Sequence, residues 1–240
     1  MGRELMAALS TNAIMQRLGE KDLSKRLVIS PLLDCTSQAK AGQAAVDVRL
    51  GFEFCLIAPS RFGAISEFGS DRQTNFGELY RREFVHFGES ITIHPHQFML
   101  AQTLEYLRLP PDLMAYVVGR STWGRLGLIV ATAVGIHPGF AGSLTLELRN
   151  LGETPLTLYP GQTIAQLFFH QIGDQQAADA DAVAIKTAQY VGTVDMIPRR
   201  ISDPVTRQKL EKLKERFDKK HSGYGPGDDR IAPSGNTSKK

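Results

Sequence analysis

Short alternating or wholly apolar runs dominate the chain from residue 28 to about residue 173. VISPLL, AVDVRLG, FEFCLIA, FVHF, SITIHPHQFMLAQTLEYLRL, AYVVG, LGLIVATAV, SLTLELRNL, PLTLYPG and TIAQLFFHQI are rich in Val, Ile, Leu, Thr and Phe. Gly, Pro, Asp and Asn punctuate them. Many short strands without regularly interposed helices predict a mainly β domain, built as a sandwich, jelly roll or barrel. The flanks read differently. Within 1–27, Leu5, Ala8, Leu9, Ile14 and Leu18 recur at helical spacing. After a polar connection, GDQQAADADAVAIK, the stretch DPVTRQKLEKLKERFDKK predicts a charged helix over 202–220. Asp203 is its expected N-cap, Pro204 its first helical residue, and Leu210, Leu213 and Phe217 its apolar stripe. Residues 221–240 read as a flexible tail. The expected organisation is an N-terminal helical segment (1–27), a β domain with a closing arm (28–201), the charged helix and the tail.

Composition narrows the function classes. Of 240 residues 42% are hydrophobic, enough for a core. The 28 basic and 25 acidic residues leave a net charge of only +3, which does not point to nucleic acid. No run approaches the roughly 18 apolar residues of a membrane span, and the N-terminus lacks the apolar block of a signal peptide. The expectation is a soluble, cytoplasmic protein with Cys35 and Cys55 as buried thiols.

Familiar catalytic signatures are missing. There is no His-x-Glu with Pro-Cys-x-x-Cys for a zinc deaminase, no Gly-x-Ser-x-Gly and no phosphate loop. His94 and His96 would share a face if TIHPHQF were one strand, but no third metal ligand is near. Two features remain. GRSTWGR offers the planar donor fork of Arg120 and the hydroxyls of Ser121 and Thr122, a candidate cradle for a triphosphate. In SLTLELRN, Leu144, Leu146 and Leu148 alternate with Ser143, Thr145, Glu147 and Arg149. Glu147 is either a solvent-facing residue or a carboxylate in a cleft, placed to move a proton between water and a leaving group.

These motifs together resemble the dCTP deaminases of the dUTPase-like superfamily. GRSTWGRLGL, HPGFAGSLTLELRN, YPGQTIAQLFF and, upstream, AAVDVRLGFEF occur in the family's order, over roughly residues 14–201. The resemblance implies a distorted β-barrel or jelly-roll subunit of the dUTPase-like type, working as a homotrimer with active sites between subunits. It implies a deoxycytidine or deoxyuridine triphosphate as ligand, Mg²⁺ bound through the triphosphate, and no zinc. The reaction would replace the 4-amino group of cytosine by hydroxyl, making dUTP and ammonia. By the resemblance, Glu147, Ser121 and Arg125 are catalytic. Glu147 would deprotonate a water held by Ser121 and the backbone near Ala133, and Arg125 would orient the glutamate. Arg120, Thr122 and Gln166 would face the phosphates, Phe140 would lie under the deoxyribose, and Tyr190 would belong to a closing arm.

Three departures keep alternatives open. His137-Pro138-Gly139 stands where the family usually has an aspartate two residues before glycine, so His137 is a candidate ligand contact or a residue of the bend. LIVATAV is one residue shorter than expected, in the segment that should read the base. The charged C-terminal helix is additional, and is expected to meet a neighbouring subunit or another protein. A dUTPase or bifunctional deaminase–diphosphatase, and a non-catalytic nucleotide-binding trimer, are the other readings.

Overall fold

The computed structural model describes residues 8–32, 35–57, 79–131 and 135–172, together with Met196 and, toward the C-terminus, Gln208, Glu211–Leu213, Glu215, Arg216 and Lys219. By contacts the chain divides into two units, Met1–Ser60 with Asn75–Ile197, and Arg61–Thr74 with Pro198–Lys240.

In the first unit, helix α1 (Thr11–Leu18) begins where Ser10, extended at φ −66° and ψ 162°, accepts a hydrogen bond from the Ala13 amide. It is shorter than the periodicity over 1–27 predicts, because Gly19 ends it and the chain turns. Ile14 is fully buried, and the Leu9 amide donates to the Phe169 carbonyl at 2.8 Å, tying this segment to the sheet.

Strands β1 (Val28–Ser30), β2 (Val46–Ile57), β3 (Tyr80–Phe84), β5 (Phe98–Arg108), β6 (Leu113–Gly119), β7 (Leu128–Val130), β8 (Gly135–Ile136), β9 (Ala141–Asn150) and β11 (Thr163–Gln171) form one nine-stranded sheet. The short strands β4 (Ile91–Ile93) and β10 (Leu156–Leu158) pair separately. Helix α2 (Cys35–Gln38) precedes β2, and α3 (Ser121–Arg125) lies between β6 and β7. The path of the sheet runs β7-β9-β5-β2-β11-β6-β8, with β1 on β5 and β3 on β2.

The runs AVDVRLG and FEFCLIA are one strand. The first part of β2, Val46–Arg49, pairs with β11; from Leu50 onward it pairs with β5 and β3. β2 therefore carries the sheet round a corner, and its register shifts between Leu50 and Phe54 as it does so. The two ends of the path also meet. Val130 ends β7 and Gly135 begins β8, five residues later, yet these strands lie at opposite ends of the sheet. Five residues reach about 17 Å at most, so the sheet must curl. A Cβ at Gly119, the end of β6, would stand 3.2 Å from Val130 Cγ2. The fold is mainly β, with the sheet rolled into a distorted barrel.

The core fills that roll. In β9 burial alternates without a break, and Leu144, Leu146 and Leu148 point inward against residues such as Phe54, Met99 and Phe169. A second, smaller cluster of Cys55, Leu100 and Met196 lies apart from it. Behind β2 sits a buried polar knot. Glu105, with no exposed surface, accepts from Arg49 Nε at 2.6 Å, the Arg49 amide at 2.8 Å and Gln38 Nε2 at 3.2 Å. Three donors on one carboxylate make this burial tolerable.

One expectation is corrected here. TIHPHQF is not a single strand. β4 stops at Ile93, β5 starts at Phe98, and His94–Gln97 form the turn, with the Gln97 amide donating to the His94 carbonyl and His96 at φ 61°. His94 and His96 therefore do not share a strand face, and His96 lies 3.9 Å from Glu153. Among the described residues no helix is long and apolar enough to cross a membrane.

In the second unit the described residues Gln208, Glu211–Leu213, Glu215, Arg216 and Lys219 are helical and exposed, Leu213 at 57%. Asp203, Pro204, Leu210, Phe217 and the tail lie outside the described residues.

Candidate active site

Strand register builds the first half of the site. Asp47 on β2 and Gln166 on β11 are directly opposed, so their side chains share a face, and Gln166 Nε2 donates to Asp47 Oδ1 at 2.8 Å. Val46, Val48 and Leu50 point to the opposite side, into the core. Arg120 follows β6, the other neighbour of β11, and its amide donates to the Ile164 carbonyl. Its side chain reaches the same Asp47 Oδ1 at 2.6 Å. Arg120 and Gln166, two expected phosphate contacts, thus converge on one buried acid that the sequence reading did not single out. The available signal was a carboxylate inside the apolar run AVDVRLG.

Arg120 is also the N-cap residue of α3, in extended conformation; its guanidinium, which has no acceptor with which to cap the helix, is held by Asp47 instead. Ser121, Thr122 and Arg125 stand on this five-residue turn of helix and are exposed. Trp123, also overlooked, fastens the turn: its indole Nε1 donates to the Thr163 carbonyl at 3.0 Å and its ring packs on the core. The chain then passes through Gly127, at φ 91°, into β7. A Cβ there would lie 2.5 Å from the Gly152 amide nitrogen, so only glycine permits this approach to the turn after β9.

β7 lies along β9 and brings the turn's continuation to Glu147. Val130 opposes Leu148, and the next amide, Ala131, donates to the Glu147 carbonyl at 2.8 Å. Glu147 is half-buried on the side of β9 away from Leu146 and Leu148. Its cross-strand neighbour is Leu100 on β5, which in turn opposes Cys55 on β2. Leu100 and Cys55 belong to the small cluster covered by Met196. Set beside this apolar surface, the Glu147 carboxyl is partly withdrawn from water, and burial pushes its pKa above the ordinary 4.5.

His137 opens a tight bend. The Phe140 amide donates to the His137 carbonyl at 3.2 Å, with Pro138 and then Gly139 at φ 74° between them, the residue order a type II turn requires. The His137 side chain is exposed. Phe140 is partly buried against the core, and its carbonyl takes the Leu109 amide at 2.8 Å. Ala133 and Tyr190, both expected at the site, lie outside the described residues, as do residues 132–134 of the shortened LIVATAV segment. Among the described residues no group of three or more His, Cys, Asp or Glu could hold a metal ion.

The chain and its curled, mainly β sheet match known proteins. Residues 8–172 match the family described as dCTP deaminase-like. A dCTP deaminase of Natronomonas pharaonis is 40% identical over 185 residues, 77% of this chain and 89% of that protein. A dUMP-forming dCTP deaminase of Methanobrevibacter smithii is 39% identical over 165 residues, 68% of this chain and 80% of that protein. The crystal structure of 2′-deoxycytidine 5′-triphosphate deaminase from Agrobacterium tumefaciens superposes with a TM-score of 0.52 at 19% identity, over 69% of this chain and 49% of that chain, and shares the fold. This chain belongs to the dCTP deaminase-like family.

Proposed function

We propose that the protein deaminates dCTP to dUTP and ammonia. The observation that carries this reading is Glu147: a half-buried carboxyl of raised pKa, on a strand edge lined by the backbone that leaves the GRSTWGR turn. A carboxylate whose pKa moves toward neutrality both takes and returns a proton efficiently. Glu147 removes a proton from a water positioned by Ser121 and the backbone near Ala133. The hydroxide adds to C4 of cytosine. Glu147 then delivers a proton to the ring nitrogen, and a second proton from the water leaves with ammonia as the C4–N bond breaks. Arg125 orients Glu147 and offsets the charge that develops. Arg120, Thr122 and Gln166 hold the phosphates, and Phe140 lies under the sugar. Mg²⁺ would come with the triphosphate and offset its charge, a mode that needs no protein cage. No zinc takes part. The working unit is a homotrimer with sites between subunits.

A second reading is release of dUMP and diphosphate, favoured by the dUMP-forming relative at 39% identity. The exposed His137, in place of an acid, weighs against it. Anion-exchange separation of products from dCTP and Mg²⁺, with an ammonia assay, decides. The expected result is dUTP and ammonia in equal amounts, reduced at least about a hundredfold in Glu147→Gln. Appearance of dUMP and diphosphate assigns the second reaction. Unchanged dCTP rejects both.

A further inference from the structure

We propose that Asp47 is a positioning residue that holds Arg120 and Gln166 together as one preformed donor pair for a polyphosphate chain. This rests on the reading that those two residues face the phosphates. One oxygen, Oδ1, accepts from Arg120 Nη1 at 2.6 Å and from Gln166 Nε2 at 2.8 Å. The Asp47 side chain is 7% exposed, whereas the Arg120 side chain keeps 28% of its surface. The acid is therefore behind the donors and the guanidinium in front of it. Arginine has five N–H groups in a planar fork and glutamine two on its amide. One from each is committed to Asp47, and the remainder are free in direction but fixed in place.

The strand backbone that carries the acid is also tied down. Gln38 Nε2 donates to the Asp47 carbonyl at 3.2 Å and to Glu105 Oε1 at 3.2 Å, and Glu105 also binds Arg49. Gln38 thus links the fully buried Glu105 to the backbone of Asp47, the residue whose carboxylate takes Arg120 and Gln166. Long side chains lose rotamer freedom when they grip an anion, and prior ordering lowers that cost. Asp47 also places a negative charge near the anion, an opposing effect. The short contact to Arg120 neutralises most of that charge, so ordering prevails.

The test uses the full chain, with inorganic tripolyphosphate as probe in titration calorimetry, and ammonia release from dCTP measured in parallel. Asp47→Ala is expected to weaken tripolyphosphate binding about tenfold. Asp47→Asn keeps an oxygen between the same donors and recovers most of the loss. In an Arg120→Ala background the effect of Asp47→Ala shrinks to about threefold or less, since its main route is gone. Thermal melting reads folding separately, and Asp47→Ser replaces the alanine variant if that one does not fold. Unchanged or tighter binding in the Asp47 variants overturns the proposal, as does an undiminished loss in the Arg120→Ala background, or a wild type that does not bind the probe. If the wild type releases no ammonia yet shows the coupling, the deaminase reading falls and the role of Asp47 stands. If ammonia is released while tripolyphosphate binding ignores Asp47, the reverse holds.

Discussion

Asp47 in AVDVRLG, Glu105 in QTLEYLRL and Glu147 in LTLELRN are acids inside apolar strand runs of this chain. Locally they look alike, and their surroundings give them different chemistry. Glu105 is saturated by Arg49 and Gln38 and is structural. Asp47 is tied to two donors of the candidate site. Glu147 faces the Leu100 side of the sheet and is the described carboxyl whose pKa burial raises. The raised value has a consequence for stability. A carboxyl with a folded-state pKa above its unfolded value contributes stability that is fully present below the unfolded pKa, ordinarily 4.5, and is lost as pH rises through the folded-state value. Glu147→Gln keeps a neutral side chain at every pH. Its melting temperature is expected to exceed that of the wild type modestly at neutral pH, with the gap closing below about pH 4. Thermal melts across that range check it, and a gap that widens on acidification contradicts the assignment.

At the scale of elements, the candidate site depends on how α3 and β7 approach the turn after β9. The junction is Gly127, at φ 91°, with the Gly152 amide nitrogen 2.5 Å from where a Cβ would stand. Leu151 closes the contact by donating its amide to the Gly127 carbonyl at 2.8 Å. Gly127→Ala is expected to destabilise the protein by about 2–4 kcal/mol, from the backbone conformation and the steric overlap together. It should also displace the turn that bears Ser121 and Arg125. Denaturant unfolding measures the first effect, and loss of ammonia release at a temperature where the variant remains folded measures the second. A variant as stable as wild type would show that the junction has room. The histidine turn teaches the complementary point: His137 gives its carbonyl to the bend while Pro138 and Gly139 set the geometry. The residue that departs from the family pattern need not be responsible for the local conformation.

For the whole molecule, the proposed trimer makes a plain prediction. Light scattering coupled to size exclusion is expected to give three times the 26.4 kDa chain mass, and the melting temperature is expected to rise with protein concentration. A monomeric mass that persists in active samples would refute sites shared between subunits. Several apolar side chains near α3 and β7 are exposed in the single chain, among them Val118, Leu126, Ile129 and Leu151 at 42–54%. An assembly in which subunits share this edge would cover them.

The strand runs, the mainly β class, and the inward alternation of Leu144, Leu146 and Leu148 were legible in the sequence, because side-chain direction along a strand repeats every two residues whatever the partner. The glutamate between those leucines and the Gly-Arg-Ser-Thr turn were legible too, since an acid in an apolar run and a cluster of donors are local anomalies. What strand order decides was not legible. Two runs fused into β2, which turns a corner, and TIHPHQF broke into a turn. Which acid became structural and which became a clamp depended on partners 119, 73, 67 and 56 residues away along the chain. Pairwise contacts at such separations are set by register and by the curl of the sheet, and no local pattern encodes them.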